Sequence, residues 1–305
     1  MALMGNIIEI SHADKVLFPL SGITKTDLYS YYNEIAKFIL PYLKDRPLTI
    51  HRFPEGIGKV GFYQKNASDY FPDWIQRAKV KKKNGWVNHV VCNSKETLLY
   101  LVNQGVITFH IGLSKIDMID YPDKIIFDLD PPGNDFKPVV KGALIIREFL
   151  ESRLGLSSMV MTTGSRGLHL VIPIKRRVPF DVAREFTKKI AKYLSFIHPK
   201  EFTTTIRKEH RKGLLFIDYL RNSYAQTAVC PFSVRALERA PVALPLSWEE
   251  LNSLSLTAKS FPISKVLERP ESQMDPWASN LGKSQSLDNP IHFMEELANK
   301  CLEIK

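Results

Sequence analysis

The sequence predicts an α+β fold, and three observations lead to that prediction. The composition is typical of a globular protein, with 44% hydrophobic and 24% charged residues in a chain of 305. Four short apolar runs have the length of strands, and two longer segments place apolar residues at helical spacing. In chain order these are strand 124–129, helix 137–154, strand 158–162, strand 168–174, helix 180–197 and strand 214–220. This β-α-β-β-α-β order is the split βαβ arrangement of ferredoxin-like and RNA-recognition-type folds.

The same order predicts which strands are neighbours. In such a sheet the first and third strands lie side by side in the middle, and the fourth strand lies beside the first. We therefore expect Asp218, in the last strand, to lie next to Asp128 and Asp130 in the first. His169, at the start of the third strand, is expected beside that first strand as well.

The remaining sequence is predicted to form an α/β module before the core and a segment that wraps around it. Thr24 and Asp27 have the spacing of a capping box, and the apolar positions after them predict a helix to about Leu43. A Pro- and Ser-rich stretch after the core is predicted to close with a helix at about 290–302. We expect a single domain in three parts: the N-terminal module packed on the core at 1–115, the catalytic core at 116–240 and the wrapping segment at 241–305.

Charge and composition limit the classes of function. The net charge of +10 favours a polyanionic partner, although a basic protein without such a partner has the same charge. No run of about 18 apolar residues predicts a membrane span, and residues 1–10 lack the pattern of a secretory signal. Cys92, Cys230 and Cys301 are scattered without metal-binding spacing, which fits a reducing cytosol.

Two carboxylates one residue apart end the first core strand. Side chains alternate along a strand, so Asp128 and Asp130 point to the same side while Leu129 points into the core. Neighbouring carboxylates repel each other, and hard divalent cations such as Mg²⁺ or Mn²⁺ commonly compensate that repulsion. The alternative is a strand end that meets solvent, with both Asp acting as turn formers before Pro131. The expected approach of Asp218 favours the metal site.

A loop of small residues connects the second and third core strands. Ser165 and Arg166 lie within the loop at 163–167, and His169 follows it. Such a loop offers backbone N–H groups and positive charge to a triphosphate, although the same residues also form ordinary turns. Arg221 and Arg235 follow the last core strand, where they would meet phosphates of a nucleotide or a template strand, or form surface ion pairs.

Aromatic and basic residues are interleaved in the N-terminal module. Phe62 and Tyr63 precede Lys65, a pattern that suits stacking on bases beside phosphate contacts, and Arg52 ends a nearby strand. It is equally compatible with one ring in the core and the other at the surface. The remaining basic candidates are Lys15 and Lys25, whose alternative interpretation is two solvated side chains.

Taken together, these motifs resemble the polymerase domain of ligase D, in the archaeo-eukaryotic primase superfamily. The resemblance covers most of the chain and is strongest at three places: Phe-Asp-Leu-Asp-Pro at 127–131, Gly-Ser-Arg-Gly-Leu-His at 164–169 and Asp-Tyr-Leu-Arg-Asn at 218–222. It implies a template-directed nucleotidyltransferase that fills gaps during prokaryotic non-homologous end joining, often preferring ribonucleotides and Mn²⁺. The implied partners are DNA ends or gapped DNA with a 5′-phosphate, NTP or dNTP, Ku and a DNA ligase, in the cytoplasm at the nucleoid.

The resemblance also implies roles for individual residues. Asp128, Asp130 and Asp218 would be the catalytic ligands of two Mn²⁺ or Mg²⁺ ions. The nucleotide would be bound by His110, Ser165, Arg166, His169 and Arg221. DNA would be bound by Lys15, Lys25, Arg52, Phe62, Tyr63, Lys65 and Arg235, with the two lysines at the 5′-phosphate and the two aromatic rings on template bases.

This sequence departs from the family pattern in three respects. His12 occupies a position where some relatives have Asn near the 5′-phosphate, and Tyr63 replaces a second Phe that some relatives have. The 305 residues leave no room for the ligase and phosphoesterase domains, so we expect either a stand-alone enzyme or an excised domain.

Two other functions fit parts of the sequence. A haloacid-dehalogenase-type phosphatase also places Asp-x-Asp at a strand end, but it requires Thr soon after the second Asp, where this chain has Pro131 and Pro132. It also gives no role to Asp218. A non-catalytic module that bridges 5′-phosphorylated DNA ends through Lys15 and Lys25 is the second alternative.

Overall fold

Most strand and helix boundaries lie within two residues of those predicted by the hydrophobic pattern. The computed structural model describes residues 8–303, with side chains described for residues 8–297. Residues 1–7, within the N-terminal stretch tested for a secretory signal, and the side chain of Cys301 are outside the described part. Cys92 and Cys230 are buried thiols. Within the described part of the chain, no helix is both long and apolar enough to cross a bilayer.

The α-helices share amphipathic patterns with one face in the core. In chain order they are α1 (Lys25–Glu34), α2 (Ala36–Leu43), α3 (Lys95–Asn103), α4 (Lys137–Leu154), α5 (Phe180–Ile197), α6 (Ile263–Leu267), α7 (Glu271–Met274) and α8 (Asp288–Glu303).

The strands are short and belong to several sheets. In chain order they are β1 (Val16–Phe18), β2 (Ile23–Thr24), β3 (Leu48–Arg52), β4 (Phe62–Gln64), β5 (Arg77–Lys82), β6 (Gly85–Val90), β7 (Val106–Gly112), β8 (Lys124–Asp130), β9 (Met159–Thr162), β10 (Leu168–Pro173), β11 (Phe202–Thr203), β12 (Leu215–Asp218), β13 (Thr227–Val229) and β14 (Pro245–Leu246).

The chain divides into two compact units. We call the first the N-terminal unit; it consists of Met1–Asp117, Thr227–Leu244 and Lys259–Asp275. The second, the core unit, consists of Met118–Gln226, Pro245–Ala258 and Pro276–Lys305. The predicted wrapping segment therefore contributes residues to both units.

The core unit contains a six-stranded sheet in the order β11-β12-β8-β10-β9-β14. Its middle four strands follow the predicted arrangement, with β8 and β10 adjacent and β12 beside β8, so the predicted βαββαβ topology is confirmed. Helices α4 and α5 pack on this sheet. The approach of α4 is close at Gly142, where an added Cβ would lie 2.3 Å from Leu215 Cδ2. A side chain at that position would push the helix away from the sheet.

The N-terminal unit contains a four-stranded antiparallel sheet in the order β13-β7-β3-β4 and a separate hairpin of β5 and β6. Tyr31 and Tyr32 of α1 are fully buried. The Tyr31 hydroxyl donates to the carbonyl of Phe232, and the Tyr32 hydroxyl donates to the carbonyl of Ile107. These bonds satisfy phenol groups that would otherwise be buried without a partner.

The structure differs from the predicted elements at two places. The helix expected to extend to Leu43 is divided at Ile35, whose φ of −87° and ψ of 4° are not helical. The apolar spacing continues across this break, so the pattern does not reveal it. The last core strand was expected to reach residue 220 but ends at Asp218, because the Asp218 carboxylate accepts the N–H of Leu220 over 2.7 Å and turns the chain into a short 3-10 helix.

Candidate functional site

Three polar residues meet across three adjacent strands of the core unit. Asp218 of β12 is the register partner of Asp128 of β8, and His169 of β10 is the register partner of the same Asp128. Asp130 lies two residues further along β8, so its side chain leaves the same side of the strand as Asp128. Strand pairing thus places all three predicted carboxylates at one end of the central strands.

The carboxylates at this position lie beside the Arg221 guanidinium and the His169 imidazole. Arg221 Nε donates to Asp128 Oδ2 over 3.2 Å and lies 3.7 Å from Asp218 Oδ2. His169 Nε2 lies 3.6 Å from Asp128 Oδ1. Burial opposes ionisation of Asp128, but His169 and Arg221 outweigh it and lower the pKa of that carboxyl to about 2. Asp128 is therefore ionised at neutral pH.

Asp218 is affected in the opposite direction. Burial, followed by the negative charge of Asp128, raises the pKa of its carboxyl, and the bond from Leu220 N–H and the charge of Arg221 only partly offset this. Two neighbouring carboxyls whose environments move their pKa values apart are typical of functional sites, although structural ion pairs have the same effect.

Arg211 was not predicted and is the main partner of Asp130. Its side chain is buried, and Nη1 donates to Asp130 Oδ2 over 2.6 Å. Nε and Nη2 donate to the carbonyls of Thr205 and Ile206, and the guanidinium lies 4.0 Å from the centre of the Phe216 ring. Because the segment 207–212 contains several basic residues, the sequence gives no signal that separates Arg211 from its neighbours.

Asn222 ends the Asp-Tyr-Leu-Arg-Asn motif at 218–222, and the sequence did not predict a role for it. It is almost completely buried, accepts the N–H of Ile126 and donates to the carbonyls of Ile126 and Tyr219. These bonds attach the turn after β12 to strand β8. They hold Arg221, one residue earlier, close to the carboxylates.

The loop between β9 and β10 is closed by its own hydrogen bonds. Thr163 Oγ1 accepts the N–H groups of Arg166 and Gly167 and contacts the Ser165 hydroxyl at 3.1 Å. The expectation that the loop offers free backbone N–H groups was wrong for these two residues, because the Thr163 hydroxyl already occupies them. Ser165 and Arg166 keep accessible side chains, whereas His169 is buried and its Nδ1 has no hydrogen-bond partner among the described residues.

Gly167 permits this loop to pass directly over the end of β8. A Cβ at Gly167 would lie 1.8 Å from the Leu129 carbonyl oxygen, a distance no side chain tolerates. The glycine in the predicted loop therefore has a steric role: it allows the loop to approach the residue between the two aspartates.

A divalent cation fits this donor set. Carboxylate oxygens are the ligands that Mg²⁺ and Mn²⁺ prefer, and a cation beside Asp128 and Asp218 would relieve the repulsion that raises the pKa of Asp218. Within residues 8–297, however, no three His, Cys, Asp or Glu side chains are grouped as a metal site. Arg211 and Arg221 instead pair with oxygens of Asp130 and Asp128.

The predicted aromatic pair is divided between the two faces of the sheet in the N-terminal unit. Tyr63 pairs in register with His51, and their rings stack at 3.9 Å between centres. Phe62 pairs with Arg52, whose guanidinium lies 5.4 Å from the Phe62 ring. Both rings are exposed, but they do not form one continuous platform because neighbouring residues in a strand point to opposite faces.

His110 lies on the same face as Tyr63, with 5.7 Å between ring centres. Arg52 is buried, and its N–H groups donate to Gln104, Gln64 and Tyr70. These bonds give Arg52 a structural role. The N–H groups that make them are not available for the predicted contact with DNA.

The remaining predicted basic residues differ in exposure. Lys25 is buried, and its Nζ donates to the carbonyl and hydroxyl of Ser11 over 2.6 and 3.1 Å. Burial, and then the charge of Lys15, lower the pKa of Lys25. Lys15 Nζ donates to Glu55 over 2.9 Å. The alternative interpretation of Lys15 and Lys25 as two solvated side chains is therefore wrong. Lys65 is exposed and Arg235 half-buried.

Comparisons with known proteins give a consistent result. The model of the LigD primase-polymerase domain matches residues 24–277. The chain is 35% identical over 272 residues to the bifunctional non-homologous end joining protein LigD of Bacillus subtilis, covering 88% of this chain and 43% of that protein. It is 30% identical over 265 residues to the multifunctional non-homologous end joining protein LigD of Mycolicibacterium smegmatis, covering 86% of this chain and 34% of that protein. The chain thus spans less than half the length of these relatives.

A solved structure agrees over nearly the whole chain. The polymerase domain from Mycobacterium tuberculosis ligase D, in complex with DNA, superimposes with a TM-score of 0.85 at 28% identity. The match covers 92% of this chain and 99% of that one.

Proposed function

Because this chain belongs to the LigD primase-polymerase domain family, we propose that it adds nucleotides to a primer 3′-hydroxyl under the direction of a template strand. The reaction joins the primer 3′-oxygen to the α-phosphorus of a nucleoside triphosphate and releases pyrophosphate. The relatives are named for non-homologous end joining. We therefore place the activity in the filling of gaps at broken DNA ends, with NTP preferred over dNTP.

The pairing of Asp128 with both Asp218 and His169 is the observation that carries this proposal. A strand end that merely meets solvent needs neither the second acid nor a buried imidazole beside it. The lowered pKa of Asp128 keeps one carboxylate ionised, as required of a ligand for a hard cation.

Asp128, Asp130 and Asp218 would hold two divalent ions, Mn²⁺ or Mg²⁺. When bound, these ions would neutralise phosphate charge and lower the pKa of the primer hydroxyl. Arg166 and Arg221 would bring further positive charge to the triphosphate, and Ser165 and His169 would donate hydrogen bonds to it. Removing one ligand is expected to remove most of the activity, because positioning and charge neutralisation supply most of the catalysis in phosphoryl transfer.

The partners follow from the same proposal. Lys15 and Lys25 would bind the 5′-phosphate on the far side of a gap, and Tyr63 would stack on an unpaired template base. His110 would lie near the incoming nucleotide, whereas Lys65 and Arg235 would contact the DNA backbone. A Ku protein and a DNA ligase would act on the same ends, at the bacterial nucleoid.

Lys15 and Lys25 by themselves favour a second function, the bridging of DNA ends. Lys25 is buried, and within the described part of the chain its Nζ donates to two oxygens of Ser11. It would therefore offer a partly desolvated positive charge to a 5′-phosphate, and this binding requires no catalysis. A module that bridges two phosphorylated DNA ends would need this feature and would not need the carboxylates.

A fill-in assay distinguishes the two functions. The substrate is a short-gapped DNA duplex with a downstream 5′-phosphate, supplied with NTP or dNTP and Mn²⁺. We expect templated extension by the intact protein and none by the double variant Asp128→Ala/Asp130→Ala. If the intact protein extends nothing but binds the phosphorylated gap tightly, the bridging function replaces the polymerase.

A further inference from the structure

A stack of two rings on the four-stranded sheet of the N-terminal unit involves a residue that the proposed function does not use. The imidazole of His51 and the phenol of Tyr63 lie 3.9 Å apart between centres, with 11° between their planes. The two residues are register partners on β3 and β4. Cross-strand partners on one face are the closest side-chain neighbours in an antiparallel pair, so the stack is a direct result of the register.

The two stacked rings differ in exposure and in their other aromatic neighbours. His51 is half-buried, and its other neighbour is Phe53, with ring centres 4.4 Å apart. Tyr63 is 59% exposed, and His110 meets it edge-on at 65°. One face of the Tyr63 ring is therefore covered by His51, while the residue as a whole remains exposed.

The charge state of His51 suits a stacked ring. Burial, and then the positive charge of Arg235, lower the pKa of His51. The imidazole is therefore neutral at pH 7 and packs against the phenol as an aromatic ring. An aliphatic side chain of similar size would cover the same area without holding Tyr63 flat, because offset stacking depends on two aromatic faces.

Phe62 is the internal contrast. It precedes Tyr63 in the same strand and is also exposed, but its ring faces the Arg52 guanidinium on the opposite side of the sheet. Of the two adjacent aromatic residues, only Tyr63 has an aromatic ring packed parallel to it among the described residues.

We propose that His51 is a positioning residue, which holds the Tyr63 ring flat so that its exposed face receives an unpaired nucleobase. The complete arrangement is a three-layer stack of imidazole, phenol and base. Identifying this base as part of a template strand rests on the proposed function, whereas the stack itself does not. Stacking tolerates any base, because every base has a flat π-face.

The test uses the full chain and a DNA duplex with a single-stranded overhang that carries one 2-aminopurine, whose fluorescence falls when it stacks. Binding is measured for wild type, His51→Leu, His51→Phe, Tyr63→Leu and the double variant. We expect His51→Leu to weaken overhang binding about threefold to tenfold and to reduce the quenching. His51→Phe should retain both, since it restores an aromatic face. A blunt duplex is the matched control and should bind all variants equally.

The double variant decides whether His51 acts through Tyr63. In the Tyr63→Leu background, we expect His51→Leu to cause no further loss. The proposal would be overturned if His51→Leu weakened overhang binding equally in the wild-type and Tyr63→Leu backgrounds. It would also be overturned if quenching were lost in Tyr63→Leu but unchanged in His51→Leu. A loss with His51→Phe equal to that with His51→Leu would do the same.

This result is separable from the polymerase assay. If wild type extends no primer but its 2-aminopurine quenching depends on His51, the proposed function fails and the stack stands. If wild type extends the primer and quenching is independent of His51, only the positioning role of His51 is refuted.

Discussion

The carboxylate site of the core unit and the aromatic face of the N-terminal unit are both products of strand register, but they are stabilised differently. At the carboxylate site, Asp128 and Asp130 are half-buried and accept hydrogen bonds from Arg221 and Arg211. On the aromatic face, Tyr63 is largely exposed and is held by contacts with the rings of His51 and His110.

This difference determines how each region should respond to substitution. A partly buried charge that loses its partner is left uncompensated, so single changes at the carboxylates should have large effects. A ring at the surface contributes through contact area, so changes on the aromatic face should be graded. We therefore expect the largest losses from changes at the carboxylates and at Arg211, and smaller ones from changes on the aromatic face such as Tyr63→Leu.

Asp128→Asn should reduce primer extension by about a hundredfold or more, because it removes a negative charge from the position where the proposed ions are bound. Binding of gapped DNA, measured by fluorescence anisotropy, should change little. Asp120→Asn is the matched control, since Asp120 is exposed in the same unit. Equal losses of extension and of DNA binding would contradict a catalytic role for Asp128.

Arg211→Met should lower the free energy of unfolding by roughly 2–4 kcal/mol, because it leaves Asp130 without its cation and two carbonyls without donors. Urea denaturation measures the change. Arg207→Met, at an exposed arginine nearby, should shift stability by no more than about 0.5 kcal/mol. Similar effects of both substitutions would show that Arg211 is not a specific partner of Asp130.

Acid should destabilise the wild type more than Asp128→Asn. The pKa of Asp128 is depressed to about 2 in the folded chain, so its ionisation stabilises the fold above the unfolded pKa. That contribution, roughly 2 kcal/mol, is lost as the pH falls from about 4 to about 2. Ionisation of Asp218 affects stability in the opposite direction, because the pKa of its carboxyl is raised in the folded chain. Parallel urea stabilities of wild type and Asp128→Asn across this pH range would refute the assignment.

Lys25→Met should weaken binding of a gapped duplex with a 5′-phosphate by about tenfold, because a phosphate loses one charge-assisted hydrogen bond. Binding of the same duplex with a 5′-hydroxyl should be nearly unchanged. Lys59→Met is the control, as Lys59 is an exposed lysine of the same unit. If phosphorylated and unphosphorylated duplexes lose affinity equally, Lys25 contributes only the general attraction of a basic surface.

The topology of the core unit was predictable because its elements are strongly periodic. Helices α4 and α5 have the predicted bounds, and the βαββαβ order correctly indicated that β12 lies beside β8. From that order alone, Asp218 was expected beside Asp128, and it is the register partner. In the N-terminal unit, the break at Ile35 was missed, since the apolar spacing continues through it.

Side chains that act through long-range contacts were not predictable. Arg211 is separated from Asp130 by 81 residues, and nothing in its local sequence distinguishes it from neighbouring basic residues. His51 precedes Arg52, which the sequence predicted as a DNA contact, yet Arg52 is buried and its Nε and Nη1 donate to Gln104, Gln64 and Tyr70. Their roles depend on which residue a side chain meets across a strand or loop, which the residue type alone does not determine.

The sequence alone determined the α+β class, the order of the core elements and the presence of acids at strand ends, because hydrophobic periodicity and turn residues are local properties. Tertiary structure decided that Arg211 and Arg221 neutralise those acids and that Tyr63 stacks on His51 while Phe62 faces Arg52. It also decided that the loop at Gly167 closes on itself. These outcomes require distances between residues far apart in the chain, and such distances exist only after the strands have paired.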